Sequence, residues 1–153
     1  MLKISTYPNK ILQAKTKKVT YLSKEIFDLI EKMRVTIHIY HGVGLSANQI
    51  GKQISLAIIE YKDDENPLNS IPFFTLINPK IFKKEDPVII KEGCLSLPGK
   101  EYKVIRYKKI KYYNYDENLS RRRHSAEGYL AQVIQHEIDH LNGKLINSHK
   151  IMI

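Results

Sequence analysis

Apolar positions in the first third of the chain recur with the spacing of an α-helix. Between Ser23 and Tyr40 they lie three, four or seven residues apart, so that they share one helical face. Ser23 is a suitable N-cap, Glu25 suits the first turn, and Gly42 is a suitable stop. The pattern predicts an N-terminal amphipathic helix.

Short apolar runs, rich in β-branched and aromatic residues, follow this helix. Residues 54–60 and 73–79 have the composition of buried strands, with a polar loop between them. Residues 80–93 are expected to form two strands that pair around a turn at 85–87, where the sequence is Glu-Asp-Pro. Residues 103–115, which combine valine, isoleucine and tyrosine, predict one more strand.

A second helical pattern lies near the end of the chain. After Gly128, apolar residues and two histidines share a helical spacing, and Gly143 marks the end of the pattern. No repeat or change in composition divides the chain, so we interpret residues 1–153 as a single domain. The elements together predict an α+β fold in which antiparallel strands surround the second helix.

The composition is typical of a soluble globular protein. Hydrophobic residues make up 42% and charged residues 27%, and no apolar stretch approaches the roughly 18 residues of a membrane span. The N-terminal sequence lacks the apolar segment of a secretory signal, which favours either a cytoplasmic protein or a mature protein whose leader has been removed. Lysine and arginine outnumber aspartate and glutamate by 25 to 16. This excess favours either a polyanionic partner such as RNA or a solvated basic surface.

The segment QHEIDH at 135–140 places two histidines four residues apart, with a glutamate directly after the first. Residues i and i+4 lie on one face of a helix with Cβ atoms about 5–6 Å apart, so His136 and His140 can chelate one ion. Glu137 projects about 100° around the helix from His136, which suits a base acting on a metal-bound water. The alternative is the polar face of an amphipathic helix.

A catalytic zinc-type site needs three protein ligands and one open position. No acidic residue follows Asp139, and Ile146 stands where one class of metalloproteases has a third histidine. The remaining donor is Cys94, whose thiolate suits zinc or iron(II) beside two imidazoles. A buried structural cysteine is the alternative. Because Cys94 is the only cysteine, an intrachain disulfide is excluded.

Three segments together resemble the signature motifs of the peptide deformylase family. GVGLSANQ at 42–49 resembles the first motif, EGCLS at 92–96 the second and QHEIDH at 135–140 the third, in the order of the family. The similarity extends over about residues 3–147. Ser46 stands where the first motif usually has alanine, and we expect it to add a hydrogen bond without affecting the metal ligands.

The resemblance implies a role for each matching residue. Cys94, His136 and His140 are implied to be the metal ligands, and Glu137 the general base and acid. The side-chain amide of Gln49 is implied to face the oxyanion that develops during the reaction.

The backbone N–H of Leu95 is implied to be a second donor to this oxyanion. Val43 and Gly44 would bind the substrate peptide in extended form by β-augmentation. Tyr129 and Val133 on the second helix are candidates for the pocket that takes a methionine side chain, although apolar helical residues often belong to the core. In addition, Glu92 is expected to pair with Arg106 and to brace the segment around Cys94.

Members of this family remove the formyl group from the N-terminal formylmethionine of newly made polypeptides and release formate. They commonly use iron(II), with nickel, cobalt or zinc as substitutes, so the resemblance implies one divalent ion per chain. A metal ion lowers the pKa of its bound water from about 15.7 towards about 7, so that hydroxide can attack a formyl carbon at neutral pH. We expect a monomer without a membrane or DNA partner.

Many bacterial members of the family continue into a C-terminal helix associated with ribosome docking, whereas this chain stops earlier, as phage-encoded members do. The RRRH segment at 121–124, interpreted as a loop, is either a transient contact to ribosomal RNA or a solvated turn. Two other functions compete with deformylation. One is a general metalloprotease with the same site, and the other is a basic RNA-binding protein with a structural metal. Glu137 and Gln49 argue against the latter, because a structural metal needs neither.

Overall fold

The structure is a computed structural model that describes residues 2–151, and it confirms the predicted α+β fold. The outer limits of the predicted domain, residues 1 and 153, therefore lie outside the described residues. Two α-helices accompany two three-stranded antiparallel sheets. The helices are α1 (Lys24–Ile39) and α2 (Gly128–Leu141). The first sheet contains β1 (Gly44–Ser46), β2 (Leu56–Tyr61) and β3 (Ile71–Ile77), and the second contains β4 (Lys80–Cys94), β5 (Leu97–Tyr115) and β6 (Arg121–Glu127).

Helix α1 begins as predicted but ends differently. The Ser23 hydroxyl caps it by accepting a hydrogen bond from the Ile26 N–H at 3.3 Å. At the other end, His41 adopts a left-handed conformation with φ of 55°, and the N–H of Gly42 donates to the Ile37 carbonyl at 2.8 Å. The left-handed residue that ends the helix is therefore His41, one residue before the predicted stop at Gly42. Histidine can take this place because it tolerates the left-handed conformation better than most side chains.

The predicted turn at residues 85–87 is wrong. Strand β4 continues through this segment and pairs with β5 at Glu85 and Pro87, on either side of Asp86, which has a φ of 58°. The chain reverses only at residues 95–96. Pro87 is tolerated inside the strand because β4 lies at the edge of its sheet, where a missing N–H removes no hydrogen bond to a further strand.

The RRRH segment is also a strand rather than a loop. Residues 121–127 form β6, which pairs along β5 in antiparallel register. Arginine has only a modest strand propensity, but Arg121 packs its guanidinium over the Tyr113 ring, 4.3 Å from the ring centroid. Cross-strand contacts of this kind stabilise pairing that local sequence does not indicate.

Helix α2 packs against both sheets, as the predicted arrangement requires. Its apolar face shares one buried cluster with side chains of β2, β3, β5 and β6, including Ala57, Leu76, Ile110, Ala126, Ile134 and Ile138. Full burial of an isoleucine or leucine contributes about 1.5–3 kcal/mol relative to exposure, so this cluster holds α2 firmly. The opposite face of the first sheet packs against α1. Among residues 2–151, no helix has the length and apolar character needed to cross a membrane.

Candidate active site

Three potential metal ligands converge where the end of β4 meets α2. The Sγ atom of Cys94 lies 3.3 Å from Nε2 of His140, and this nitrogen lies 3.1 Å from Nε2 of His136. The ligand atoms of all three residues lie within 4.8 Å of one another. Ligands bound tetrahedrally at about 2.0–2.3 Å from a metal lie about 3.3–3.8 Å apart, so small adjustments suffice to hold one ion.

A buried ion pair orients the first histidine. Glu92 accepts hydrogen bonds from Nε and Nη2 of Arg106, each at 2.8 Å, which confirms the predicted pair. Its Oε1 atom also lies 2.8 Å from Nδ1 of His136. Burial alone would raise the pKa of Glu92, but the hydrogen bonds from Arg106 and His136 outweigh it and lower the pKa to about 2. The carboxylate therefore holds a proton on Nδ1 and leaves Nε2 of His136 free to bind a cation.

The same network continues beyond the predicted pair. Nη1 of Arg106 donates to Oδ2 of Asp139 at 2.7 Å, and the Gln132 amide donates to Glu92 at 3.2 Å. Gln132 lies four residues before His136 on α2, and Asp139 lies three residues after it. This spacing is visible in the sequence and could have indicated both residues.

Glu137 faces the ligand cluster from a buried position, with 3% of its surface exposed. Burial raises its pKa to about 7, although the nearby His136 opposes this effect. A divalent cation in the cluster would lower this pKa again, because positive charge favours the carboxylate. Within residues 2–151, Oε1 of Glu137 has no hydrogen-bond partner. The carboxylate is therefore placed to accept a proton from a bound water or substrate.

Gln49 lies in a short 3-10 turn that follows β1, next to the thiol of Cys94. Its Oε1 accepts hydrogen bonds from the backbone N–H of Ser46 at 3.0 Å and from the Ser46 hydroxyl at 3.1 Å, the additional bond expected for this serine. Its Nε2 donates to the Ser96 hydroxyl at 3.0 Å and lies 3.9 Å from Cys94 Sγ. The spacing Ser-x-x-Gln is that of a capping box, so the sequence carried a signal for this fixed amide.

A cleft of about 960 Å³ opens beside the cluster. The structure brings the ten predicted site residues together here: His140 is buried behind the cleft, and the others line it, namely Val43, Gly44, Gln49, Cys94, Leu95, Tyr129, Val133, His136 and Glu137. Sequence reasoning missed several further lining residues, including Tyr40, His41 and Lys91. Tyr40 and His41 directly precede the first motif, but nothing in their spacing indicated a site.

The walls of the cleft differ in character. Val133 is nearly buried, whereas Tyr129 is 41% exposed and packs edge to face against Tyr61 with ring centroids 5.5 Å apart. Two strand edges border the opening, because within the described chain β1 pairs only with β2 and β4 pairs only with β5. An extended peptide therefore has free backbone groups to pair with on either side.

Gly44 makes room for the glutamate, and we expect Gly44→Ala to impair activity. A Cβ atom at this position would lie 2.7 Å from Oε2 and 2.9 Å from Cδ of Glu137, so the carboxylate would have to move. A displacement of about 1 Å can reduce a rate by about 100-fold. We expect kcat/KM to fall by about 10- to 100-fold, with normal metal content and melting temperature.

A double-mutant cycle provides the control for this prediction. Glu137→Asp shortens the side chain and relieves the contact, so the double variant should lose less than the sum of the two single free-energy losses. Additive losses would show that Gly44 does not act through Glu137.

Comparison with known proteins agrees with this geometry. The family model described as polypeptide deformylase matches residues 1–151. A peptide deformylase of Aquifex aeolicus is 42% identical over 142 residues, which cover 92% of this chain and 82% of that protein. A peptide deformylase of Wolinella succinogenes is 37% identical over 145 residues, covering 95% and 85% respectively. The crystal structure of the Thermotoga maritima peptide deformylase superposes with a TM-score of 0.88 at 32% identity, covering 99% of both chains.

Proposed function

Because this chain belongs to the peptide deformylase family and is a metal-dependent hydrolase that removes the N-formyl group from nascent polypeptides, we propose that this reaction takes place in the cleft between β1, β4 and α2. The observation that supports this location best is the convergence of Cys94, His136 and His140 beside a buried carboxylate. A structural metal would not need that carboxylate.

Cys94, His136 and His140 would hold one divalent cation. Thiolate and imidazole ligands suit iron(II), nickel, cobalt and zinc alike, and we propose iron(II) as the physiological ion with the others as substitutes. When bound, the ion supplies Lewis acidity and lowers the pKa of a water molecule so that it becomes a nucleophile at neutral pH. The Glu92 carboxylate supports this site by fixing the ring of His136 at 2.8 Å.

Glu137 would transfer the proton. Its free Oε1 accepts a proton from the attacking water as the water oxygen bonds to the formyl carbon. The same carboxyl group then delivers that proton to the nitrogen as the C–N bond breaks. The immediate products are formic acid, which releases its proton to solvent and becomes formate at neutral pH, and a peptide with a free amino terminus, so atoms and charge balance without a further reactant.

Gln49 and Leu95 would stabilise negative charge on the formyl oxygen. The Gln49 amide is held by Ser46 on its oxygen side and by Ser96 on its nitrogen side, so its donor has little freedom to turn. The backbone N–H of Leu95, next to Cys94, would provide the second donor. Donors that are fixed before the reaction stabilise a transition state without reorganising during it.

The formylated peptide would bind in extended form along Val43 and Gly44, with its methionine side chain against Val133 and Tyr129. Gly44 is the first residue of β1 and has no side chain, so a peptide backbone can approach the strand closely at this position. One chain contains every proposed catalytic group, so a monomer suffices for the chemistry. We place the enzyme in the cytoplasm, with residues 1–153 acting as one catalytic domain, because its substrates are nascent chains.

Formate release provides the direct test. Protein purified anaerobically with iron(II) or nickel should release formate from N-formyl-Met-Ala-Ser and should leave an N-acetylated control peptide intact. We expect Cys94→Ala to reduce metal content and to abolish formate release, because it removes one of three ligands.

Two results would contradict this proposal. Absence of formate with folded, metal-loaded protein would exclude deformylation in this cleft. Cleavage of internal bonds in unformylated peptides would instead indicate a general metalloprotease. Metal content, measured by mass spectrometry, separates loss of the ion from loss of the chemistry.

A further inference from the structure

The second sheet has an outer face that the catalytic site does not use. Ile110, Tyr112 and Ala126 point inward and share the buried cluster with α2. Because side chains alternate along a strand, the neighbouring positions on β5 and β6 point to the opposite side. There they form what we call the basic-aromatic face, made of Phe82, Lys83, Lys111, Tyr113, Arg121 and Arg123.

Four planar groups stack across this face. The Phe82 and Tyr113 rings stack with centroids 4.5 Å apart and an interplanar angle of 30°. The Arg121 guanidinium lies over the Tyr113 ring at 4.3 Å from its centroid, and the Arg123 guanidinium lies over the Phe82 ring at 5.2 Å. Stacking on a ring orients a guanidinium while its N–H groups remain free to donate at their edges.

Positive charge on this face is only partly neutralised. Lys83 lies directly opposite Lys111 in the register of β4 and β5, an arrangement of like charges that destabilises a sheet. Lys83 has a carboxylate partner, Glu85, at 2.9 Å. Among residues 2–151, no carboxylate lies within ion-pair distance of Lys111, Arg121 or Arg123.

The acidic residues of the outer face lie to one side of this cluster. Glu85 and Glu127 are both opposite Lys109, on its two neighbouring strands. From Lys111 onward, towards the β5–β6 turn, the outward side chains of β5 and β6 are lysine, tyrosine, serine and arginine. This part of the face therefore presents mainly positive charge to solvent, with Glu85 bound to Lys83 at one side and Asp116 and Glu117 in the β5–β6 turn beyond the other. This arrangement gives less stability than alternating charges would.

We propose that the basic-aromatic face binds the phosphate backbone of single-stranded RNA. Planar guanidinium groups that are already oriented match phosphate oxygens in geometry, and exposed ring edges offer contacts to unstacked bases. RNA binding by this face does not depend on the proposed function. The face lies on the opposite side of the sheet from α2, so docking leaves the catalytic helix uncovered.

Fluorescence anisotropy with metal-loaded enzyme and a labelled single-stranded RNA of about 20 nucleotides tests this inference. Titrations between about 50 and 200 mM salt yield the dependence of affinity on ionic strength. We expect Arg121→Glu with Arg123→Glu to weaken binding by at least about tenfold and to reduce the salt slope by about 1.4, since each lost phosphate contact removes about 0.7.

Matched variants make the result specific. Lys10→Glu with Lys15→Glu changes net charge equally at exposed positions near the N-terminus and should keep most of the affinity. The variant with Lys83→Ser and Lys111→Ser removes two like charges that face each other across the sheet. This variant should therefore fold well and still bind RNA more weakly. Formate release from free N-formyl-Met-Ala-Ser should stay within about twofold of wild type in all three variants, because the sites are independent.

Three outcomes would overturn the inference. Equal loss of affinity in the Lys10 and Lys15 variant would show that net charge alone drives binding. Unchanged binding in both face variants would place the contact elsewhere. Equally effective competition by phosphatidylserine vesicles or polyglutamate would show a general preference for polyanions. Formate release is measured separately, so failure of RNA binding leaves the deformylase assignment unaffected.

Discussion

The Glu137→Gln protein is expected to keep its metal and to release formate about 10²- to 10⁴-fold more slowly than wild type. The substitution retains the shape of the side chain but removes its ability to accept a proton from water. Glu137 is nearly buried, and glutamine has almost the same shape and no charge to desolvate, so the neutral amide should be tolerated without loss of stability. The expected defect therefore lies in kcat and not in folding.

Metal content, melting temperature and single-turnover formate release together check this prediction. Normal metal content with a near-normal rate would remove Glu137 from its role in proton transfer. Loss of the metal would instead show that the carboxylate is a ligand, contrary to the three-residue cluster of Cys94, His136 and His140. Glu137→Asp is a useful second variant, because it keeps the carboxyl group but its shorter side chain moves this group away from the reaction site.

Gln49→Leu is expected to lower kcat by about 10²- to 10³-fold, the usual effect of removing one oxyanion donor. An interaction made only in the transition state lowers kcat and kcat/KM equally, so KM should change little. Leucine fills nearly the same volume but leaves the Ser46 and Ser96 groups without their partner, so some loss of stability is also expected.

Ser46→Ala is the control for this experiment. It removes one of the two hydrogen bonds to Gln49 Oε1 but keeps the Nε2 donor, so kcat should fall by less than about tenfold. A change in KM alone in the Gln49→Leu protein would assign this side chain to substrate binding. An equal loss of kcat in both variants would mean that the orientation of the amide matters as much as its presence.

Local patterns in the sequence determined several parts of this protein reliably. Helix α1 follows from an apolar repeat and a serine cap, both of which act within a few residues. The pairing of His136 with His140 also follows locally, because positions four apart on a helix always share a face. Resemblance of three motifs to one family linked these histidines to Cys94 and Gln49, which no local rule connects.

Strand pairing was not determined locally. The Glu-Asp-Pro sequence at 85–87 resembles a turn, and the arginines at 121–123 resemble a solvated loop, yet both segments are strands because of their pairing with β5. The stability of a strand depends on neighbours that are distant in sequence, so the same residues can form a turn or a strand.

The sequence by itself determined the family and predicted the candidate ligands and the candidate catalytic carboxylate, because these depend on residue identity at fixed spacing. Only the tertiary structure decided how the site is supported: Glu92 bridges His136 and Arg106, and Gly44 leaves space for Glu137. It also decided that the RRRH segment lies on an exposed sheet face. These features depend on distances between residues on different elements, which arise only when the buried cluster brings α2 and the two sheets together.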